Sequence, residues 1–322
     1  MRALVLTDQG IEYRADYPDP EPGPGEVRIR VLFAGICDTD LQLAAGYMGF
    51  RGVPGHEFVG VAEGGPLQGK TVVSEINCAC GRCAYCARGW PNHCPHRSVL
   101  GILNHDGAFA DYICVPQVNL HALPDEIPAE LGVFVEPLAA AFEIGGQIDI
   151  QPGIRTLVLG DGKLGYLIAQ VLRLQGAEVT VLGRHPHKLA RFQALGFPTQ
   201  PAGTDSGELF DVVVDCTGSP TGLAEAVQRV RPRGTVVLKT TTAQSLDWNP
   251  APVVINEITI VGSRCGPFRP AIAALASGQI EVRSLIEQVF PLEQGVQAFT
   301  AAARTGAGKI LLAMGGSHST SA

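Results

Sequence analysis

The rhythm of apolar positions changes near residue 150, and the change predicts two kinds of structure in one chain. Before it, hydrophobic residues come in short runs broken by turn formers. Ala3-Leu4-Val5-Leu6 is a strand-sized run, and the segment from Pro18 to Gly25, with four prolines and two glycines, must be a loop. Glu26 to Phe33 alternates polar and apolar residues as a half-buried strand does. Such irregular, strand-rich sequence predicts a β-barrel-like domain. From about residue 151 apolar strands and helical patterns take turns. Strands are expected at Thr156–Leu159, Glu178–Leu182, Asp211–Val214, Thr235–Leu238 and Ile258–Val261. Helical spacing runs through Leu164, Leu167, Ile168, Val171 and Leu172, then from His187 to Leu195, with a further helix between the strands at 211 and 235. That alternation predicts a parallel sheet covered on both faces, an α/β domain. After residue 266 the pattern is helical with a last strand, Lys309–Ala313, expected to rejoin the first domain. Residues 315–322 are expected to be irregular. The domains would be 1–130 with 266–322, and 131–265.

A chain of 322 residues fits two domains, and 46% hydrophobic content supplies material for two cores. The net charge of −7, with no cluster of Lys and Arg, excludes a nucleic-acid surface. The N-terminus turns polar too soon for a signal peptide, and no apolar run has the length of a membrane span. A soluble, cytoplasmic protein is therefore expected. In a reducing compartment its nine cysteines point to metal or catalysis before disulfides.

Cys80, Cys83, Cys86 and Cys94 are spaced C-x₂-C-x₂-C-x₇-C, close enough for four thiolates to surround one zinc ion. Four protein ligands leave no open position, so the expected role is structural. Pro95 and the first spacings also suit a ferredoxin-type iron–sulfur run, whose last gap is three residues rather than seven.

Gly160-Asp161-Gly162-Lys163-Leu164-Gly165 fits G-x-G-x-x-G after a strand and before a helix, the context in which that motif cradles a dinucleotide pyrophosphate rather than only turning the chain. An NAD site places Asp or Glu about twenty residues further on. Here the second strand ends in Gly183-Arg184-His185, with Lys188 beyond. The missing carboxylate and Arg184, which can pair with a 2′-phosphate, favour NADP(H), the alternative being a solvated arginine at a helix start.

In order along the chain stand Gly35-Ile36-Cys37-Asp38-Thr39-Asp40, Gly55-His56-Glu57-Phe58-Val59-Gly60, the cysteine lobe, Glu136-Pro137-Leu138-Ala139 and the glycine loop. On these motifs residues 1–315 resemble the zinc-containing medium-chain dehydrogenase/reductase family. The resemblance implies a GroES-like barrel and a Rossmann domain, with two zinc ions per chain. It implies a catalytic zinc held by Cys37, His56 and Glu136, with Glu57 as the competing carboxylate and Asp40 orienting His56. Thr39 would accept the alcohol proton. Thr217, Gly218, Gly262 and Ser263 would adjoin the cofactor. A small alcohol or carbonyl substrate and a homodimer or homotetramer through the Rossmann domain are also implied.

Asp38 and Gln42 depart from that pattern, the first as an anion near the pyrophosphate, the second where some relatives carry a histidine relay. The segment from Val61 to Thr71 is short, and Tyr47, Met48 and Phe50 are candidate pocket walls. The expected activity is hydride transfer between an alcohol, polyol or sugar and NADP(H). The alternatives are NAD-linked threonine or polyol oxidation, or a redox sensor that binds zinc and nucleotide without turnover.

Overall fold

A computed structural model describes residues 1–204, 207–241 and 248–315, so the tail expected to be irregular, 315–322, lies outside the described residues from 316 on. The chain forms two compact units, Met1–Glu136 with Ala271–Ala322, and Pro137–Pro270. Their borders fall five or six residues later than the expected 130/131 and 265/266.

The first unit is built on a seven-stranded sheet around one long strand, β1 (Glu26–Gly35). β1 pairs antiparallel with β2 (Glu57–Ala62), with Tyr112–Pro116 and with Lys309–Ala313. Register sets Gly35 opposite Glu57 on one side and Leu311 on the other. The apolar positions of the alternating run, Val27, Ile29 and Val31, are all buried. A short helix, α1 (Asp38–Ala44), follows β1 directly. The last strand thus lies beside β1, and it gains a neighbour the sequence pattern did not suggest. Ile286–Pro291 runs parallel to Lys309–Ala313 at the sheet edge. Its residues are exposed or half-buried, so edge pairing rather than an apolar pattern makes it a strand.

The second unit is a six-stranded parallel sheet: β3 (Arg155–Leu159), β4 (Glu178–Gly183), β5 (Thr199–Pro201), β6 (Phe210–Asp215), β7 (Val230–Leu238) and β8 (Thr259–Gly262). Their order is β5-β4-β3-β6-β7-β8. Helices α2 (Val135–Gln147), α3 (Lys163–Leu174), α4 (Pro186–Ala194) and α5 (Gly222–Arg229) accompany it. Leu157, Leu159, Leu182, Phe210, Val213, Leu223, Val227 and Val236 share one core, which is why these strands read as near-continuous apolar runs. The strand order reverses between β3 and β6, and such a switch point opens a ligand crevice outside the carboxyl ends of the strands. Among the described residues no helix is long and apolar enough to cross a membrane.

Candidate active site

The four lobe cysteines bring their sulfurs within 4.8 Å of one another. Cys83 Sγ is 3.5 Å from Cys86 Sγ and 3.8 Å from Cys94 Sγ, which is 3.5 Å from Cys80 Sγ. The backbone N–H of Arg82 draws the Cys80 thiol down to about 6, helped by its neighbouring thiols. The donor set fits a closed tetrahedral zinc site, in which the ligands must be thiolates.

A second group consists of Cys37, His56 and Glu57, again with ligand atoms within 4.8 Å of each other. His56 and Glu57 are buried and Cys37 half-buried. Cys37 is the N-cap of α1, and Asp40, three residues on, returns its Oδ2 to the Cys37 N–H at 2.8 Å. This capping box fixes the cysteine at the helix entrance. The same carboxylate accepts the Gly55 N–H through Oδ1 at 3.3 Å. Oδ1 also stands 3.3 Å from His56 Nδ1, at ion-pair range though not aligned as a hydrogen bond. Asp40 is wholly buried, so one carboxylate ties the helix cap, the turn before β2 and the histidine ring together. Burial lowers the His56 pKa, but Asp40 and Cys37 outweigh it and raise the ring well above the usual value. Burial, then the Glu57 charge, pushes the Cys37 thiol up. A sulfur, an imidazole and a carboxylate in a dry corner, with a carboxylate behind the imidazole, fit a catalytic zinc and its supporting shell.

The turn before His56 is packed against an aromatic ring on one side and against backbone on another. Gly55 has φ of +98°, and a Cβ there would lie 2.4 Å from the Phe109 ring. Side chains at Gly101 or Gly107 would strike the Gly55 backbone at 2.5 Å and 2.2 Å.

Behind the group lies a residue the sequence reading missed. Lys309 Nζ forms a buried ion pair with Glu57 Oε2 and lies 3.5 Å from the Ile36 carbonyl oxygen. The two side chains meet across Gly35, where a Cβ would come within 2.9 Å of Glu57 Oε2 and 3.3 Å of Lys309 Cδ. Burial lowers the lysine's pKa, but the Glu57 and Cys37 charges more than reverse this and raise it. No local signal marked Lys309, which opens an apolar strand; the pairing of the last strand with β1 brings it to the site.

Glu136 is in the first turn of α2 and is not among the three clustered ligands. Thr39 lies in α1, two residues past Cys37, half-buried and without a side-chain hydrogen bond among the described residues.

The remaining residues line the carboxyl edge of the parallel sheet. Gly160 leaves β3, Gly162 caps α3, and Lys163 and Leu164 open that helix. Gly165 packs so tightly that a Cβ would lie 2.2 Å from the Gly160 carbonyl oxygen. Gly183 ends β4, Arg184 and Lys188 come after it, and Thr217 and Gly218 follow β6. Gly262 ends β8, and Ser263 Oγ accepts from Lys239 Nζ at 3.1 Å. Thr217 Oγ1 donates to Asp215 Oδ1 at 2.7 Å, and Thr240 Oγ1 accepts the Gly218 N–H at 3.1 Å. Side chains built at Gly162, Gly218 and Gly262 would each meet nothing within 4 Å. That open rim, with a helix N-terminus at the switch point, fits a dinucleotide. Arg184 is exposed and makes no hydrogen bond or ion pair among the described residues.

Residues 23–125 match the alcohol dehydrogenase GroES-like domain family, and residues 164–277 match the zinc-binding dehydrogenase family. The chain is 29% identical to a sorbitol dehydrogenase of Halalkalibacterium halodurans, over 97% of this chain and 99% of that one. It is 28% identical to an L-threonine 3-dehydrogenase of Saccharopolyspora erythraea, over 97% and 98%. Among solved structures, a zinc-binding dehydrogenase from Sinorhizobium meliloti 1021 bound to NADP superposes with a TM-score of 0.88 at 27% identity, covering 97% of this chain and 98% of that one. An Escherichia coli CFT073 alcohol dehydrogenase complexed with NADH gives 0.88 at 27%, covering 97% and 99%. Two domain families in order, matched relatives over nearly the full length, and both ligand groups in place lead to one conclusion: the chain belongs to the zinc-containing medium-chain dehydrogenase/reductase family.

Proposed function

We propose that the protein transfers hydride between an alcohol, polyol or sugar and NADP(H). The observation that carries this is the convergence of Cys37, His56 and Glu57 in a buried corner braced by Asp40. Zinc bound there supplies a Lewis acid to the alcohol or carbonyl oxygen, and the dinucleotide supplies the hydride acceptor or donor. The chain's own residues do the rest. Cys37 and His56 would hold the metal, and Asp40, 3.3 Å from His56 Nδ1, would orient the ring. Glu136 would be the third ligand, with Glu57, which Lys309 pairs in the same corner, as the competing carboxylate. Thr39, its hydroxyl unpaired among the described residues, takes the alcohol proton in oxidation and returns it in reduction.

Arg184 supports the preference for NADP(H): an exposed guanidinium, unpaired among the described residues, stands where strand β4 ends without a carboxylate. Solved relatives carry NADP in one case and NADH in another, so the fold alone does not choose. We assign the homodimer or homotetramer contact to the open edge of β8, shortly before which in the chain Val254 and Ile255 are 76% and 77% exposed. The protein is expected to act in the cytoplasm.

The test is cofactor reduction by zinc-replete protein over short alcohols, polyols, aldoses and threonine, each with NADP⁺ and NAD⁺. Turnover of one class with NADP⁺ is expected. Tight NADPH binding without any turnover would replace the dehydrogenase reading with a sensor. Arg184→Ala should weaken NADPH far more than NADH, and equal losses would remove the NADP(H) assignment.

A further inference from the structure

In an NAD site, the carboxylate that meets the adenosine ribose stands at the end of the second strand. Here that strand ends bare, at Gly183. The space is nonetheless filled. A Cβ built on Gly183 would lie 2.5 Å from Asp161 Cβ, 2.7 Å from Asp161 Oδ2 and 2.8 Å from Leu189 Cδ2. Asp161, the second residue of the glycine loop, has laid its carboxylate over the strand end. The His185 N–H donates to its Oδ2 at 2.7 Å, and His185 Nδ1 lies 3.1 Å from both oxygens. Lys188 Nζ stands 3.9 Å from Oδ1. The Asp161 side chain is only 8% exposed, so water screens it little. Burial pushes its carboxyl up, but the His185 hydrogen bonds and the Lys188 charge outweigh this and hold it below the usual carboxylate range.

We propose that Asp161 is a selectivity-determining residue of the cofactor site, a carboxylate lent by the glycine loop to the place strand β4 leaves bare, where it restrains the NADP(H) preference that Arg184 creates. The inference rests on the dinucleotide and Arg184 readings above. Two groups of opposite sign then border the same place. A 2′-phosphate is attracted by Arg184 and repelled by Asp161, which also claims Lys188 and His185 as its own partners. A 2′-hydroxyl meets no repulsion. The unmodified protein therefore binds both dinucleotides, with a preference for NADP(H) smaller than the Gly183-Arg184-His185 turn alone would give.

The experiment measures Kd for NADPH and NADH by nicotinamide fluorescence on the full chain, alongside thermal melting. Asp161→Asn keeps an oxygen for the His185 N–H and removes the charge. It is expected to raise the ratio of NADPH to NADH affinity about tenfold, the scale of one unscreened charge at close range. A ratio that falls, or stays within about twofold, overturns the proposal. Arg184→Ala runs in parallel: an unchanged ratio there removes the Arg184 reading, while a rise in Asp161→Asn still upholds the role of Asp161. A swap covers the case in which Asp161→Asn melts early. Gly183→Asp with Asp161→Gly returns the carboxylate to the strand, and its ratio should drop below that of the unmodified protein. A ratio above it would show that the two positions do not share one place, and would equally overturn the proposal.

Discussion

The two ligand groups in the first unit solve opposite problems. Cys80, Cys83, Cys86 and Cys94 lie within one short, mostly polar stretch, supply every ligand themselves, and are half-buried except for Cys94. Cys37, His56 and Glu57 come from two separate segments, mix sulfur, nitrogen and oxygen, and rest on the buried side chains of Asp40 and Lys309. The lobe has almost no core, so its four cysteines would hold a zinc ion and the ion would hold the loop. In the other group the protein does the holding: a helix cap, a sheet register and a buried ion pair fix the ligands before any metal arrives. A closed site can be written locally in the chain, whereas an open one needs a fold to build it.

The sharpest way to break this comparison is to remove one ligand from each group. His56→Ala should lower turnover about a thousandfold or more, the several kcal/mol that a lost Lewis acid represents. It should also halve the zinc content while leaving the melting curve of the lobe intact. Cys94→Ser should halve the zinc as well, but loosen residues 78–97 to proteolysis. Turnover in His56→Ala with one zinc bound would show that the groups had been given each other's roles. Lys309→Met comes next in size. It leaves Glu57 buried without its cation, and should cost about 3–5 kcal/mol in chemical denaturation. Asp40→Asn should weaken zinc binding or turnover by about 10- to 100-fold, read by competition with a chelator, because His56 loses its brace. The smallest effect concerns protons. Cys80 is drawn down to about 6, so in chelator-treated protein its alkylation should rise through that pH and then level. Cys37, raised by burial, should still be a thiol at neutral pH and react about tenfold more slowly, as peptide mass spectrometry would register.

What could be read from the chain follows the same division. The lobe was legible because C-x₂-C spacing is itself the geometry. The glycine loop was legible because strand, glycines and helix lie side by side in sequence. Cys37 and His56 needed the resemblance to a family, since a single cysteine and a single histidine carry no local signature. Lys309 was invisible, because its partner Glu57 is 252 residues away and the contact depends on the last strand returning to β1 and on Gly35 having no side chain between them. Asp161 was read only as a variable position in the glycine motif. Its chemistry appears once β3 and β4 lie in register and the bare Gly183 lets the carboxylate through. The strand Ile286–Pro291 escaped because an edge strand with mostly exposed residues has no apolar alternation to detect.

The contact of Gly55 with Gly101 and Gly107 has a consequence for how this enzyme can change over evolutionary time. Gly101 and Gly107 press on the Gly55 backbone and the Phe109 ring closes over Gly55, leaving no room for a side chain at any of the three glycines. Mutation therefore has no small steps available at that corner, and the corner aims His56. The stretch Tyr47–Gly49 is the reverse, with Met48 54% exposed and no buried residue. New substrates should be acquired by drift in such surface loops, while the histidine's setting passes unaltered from ancestor to descendant. A library that randomises residues 46–50 should yield variants of altered preference, and one that randomises 55, 101 and 107 should return almost only the parent.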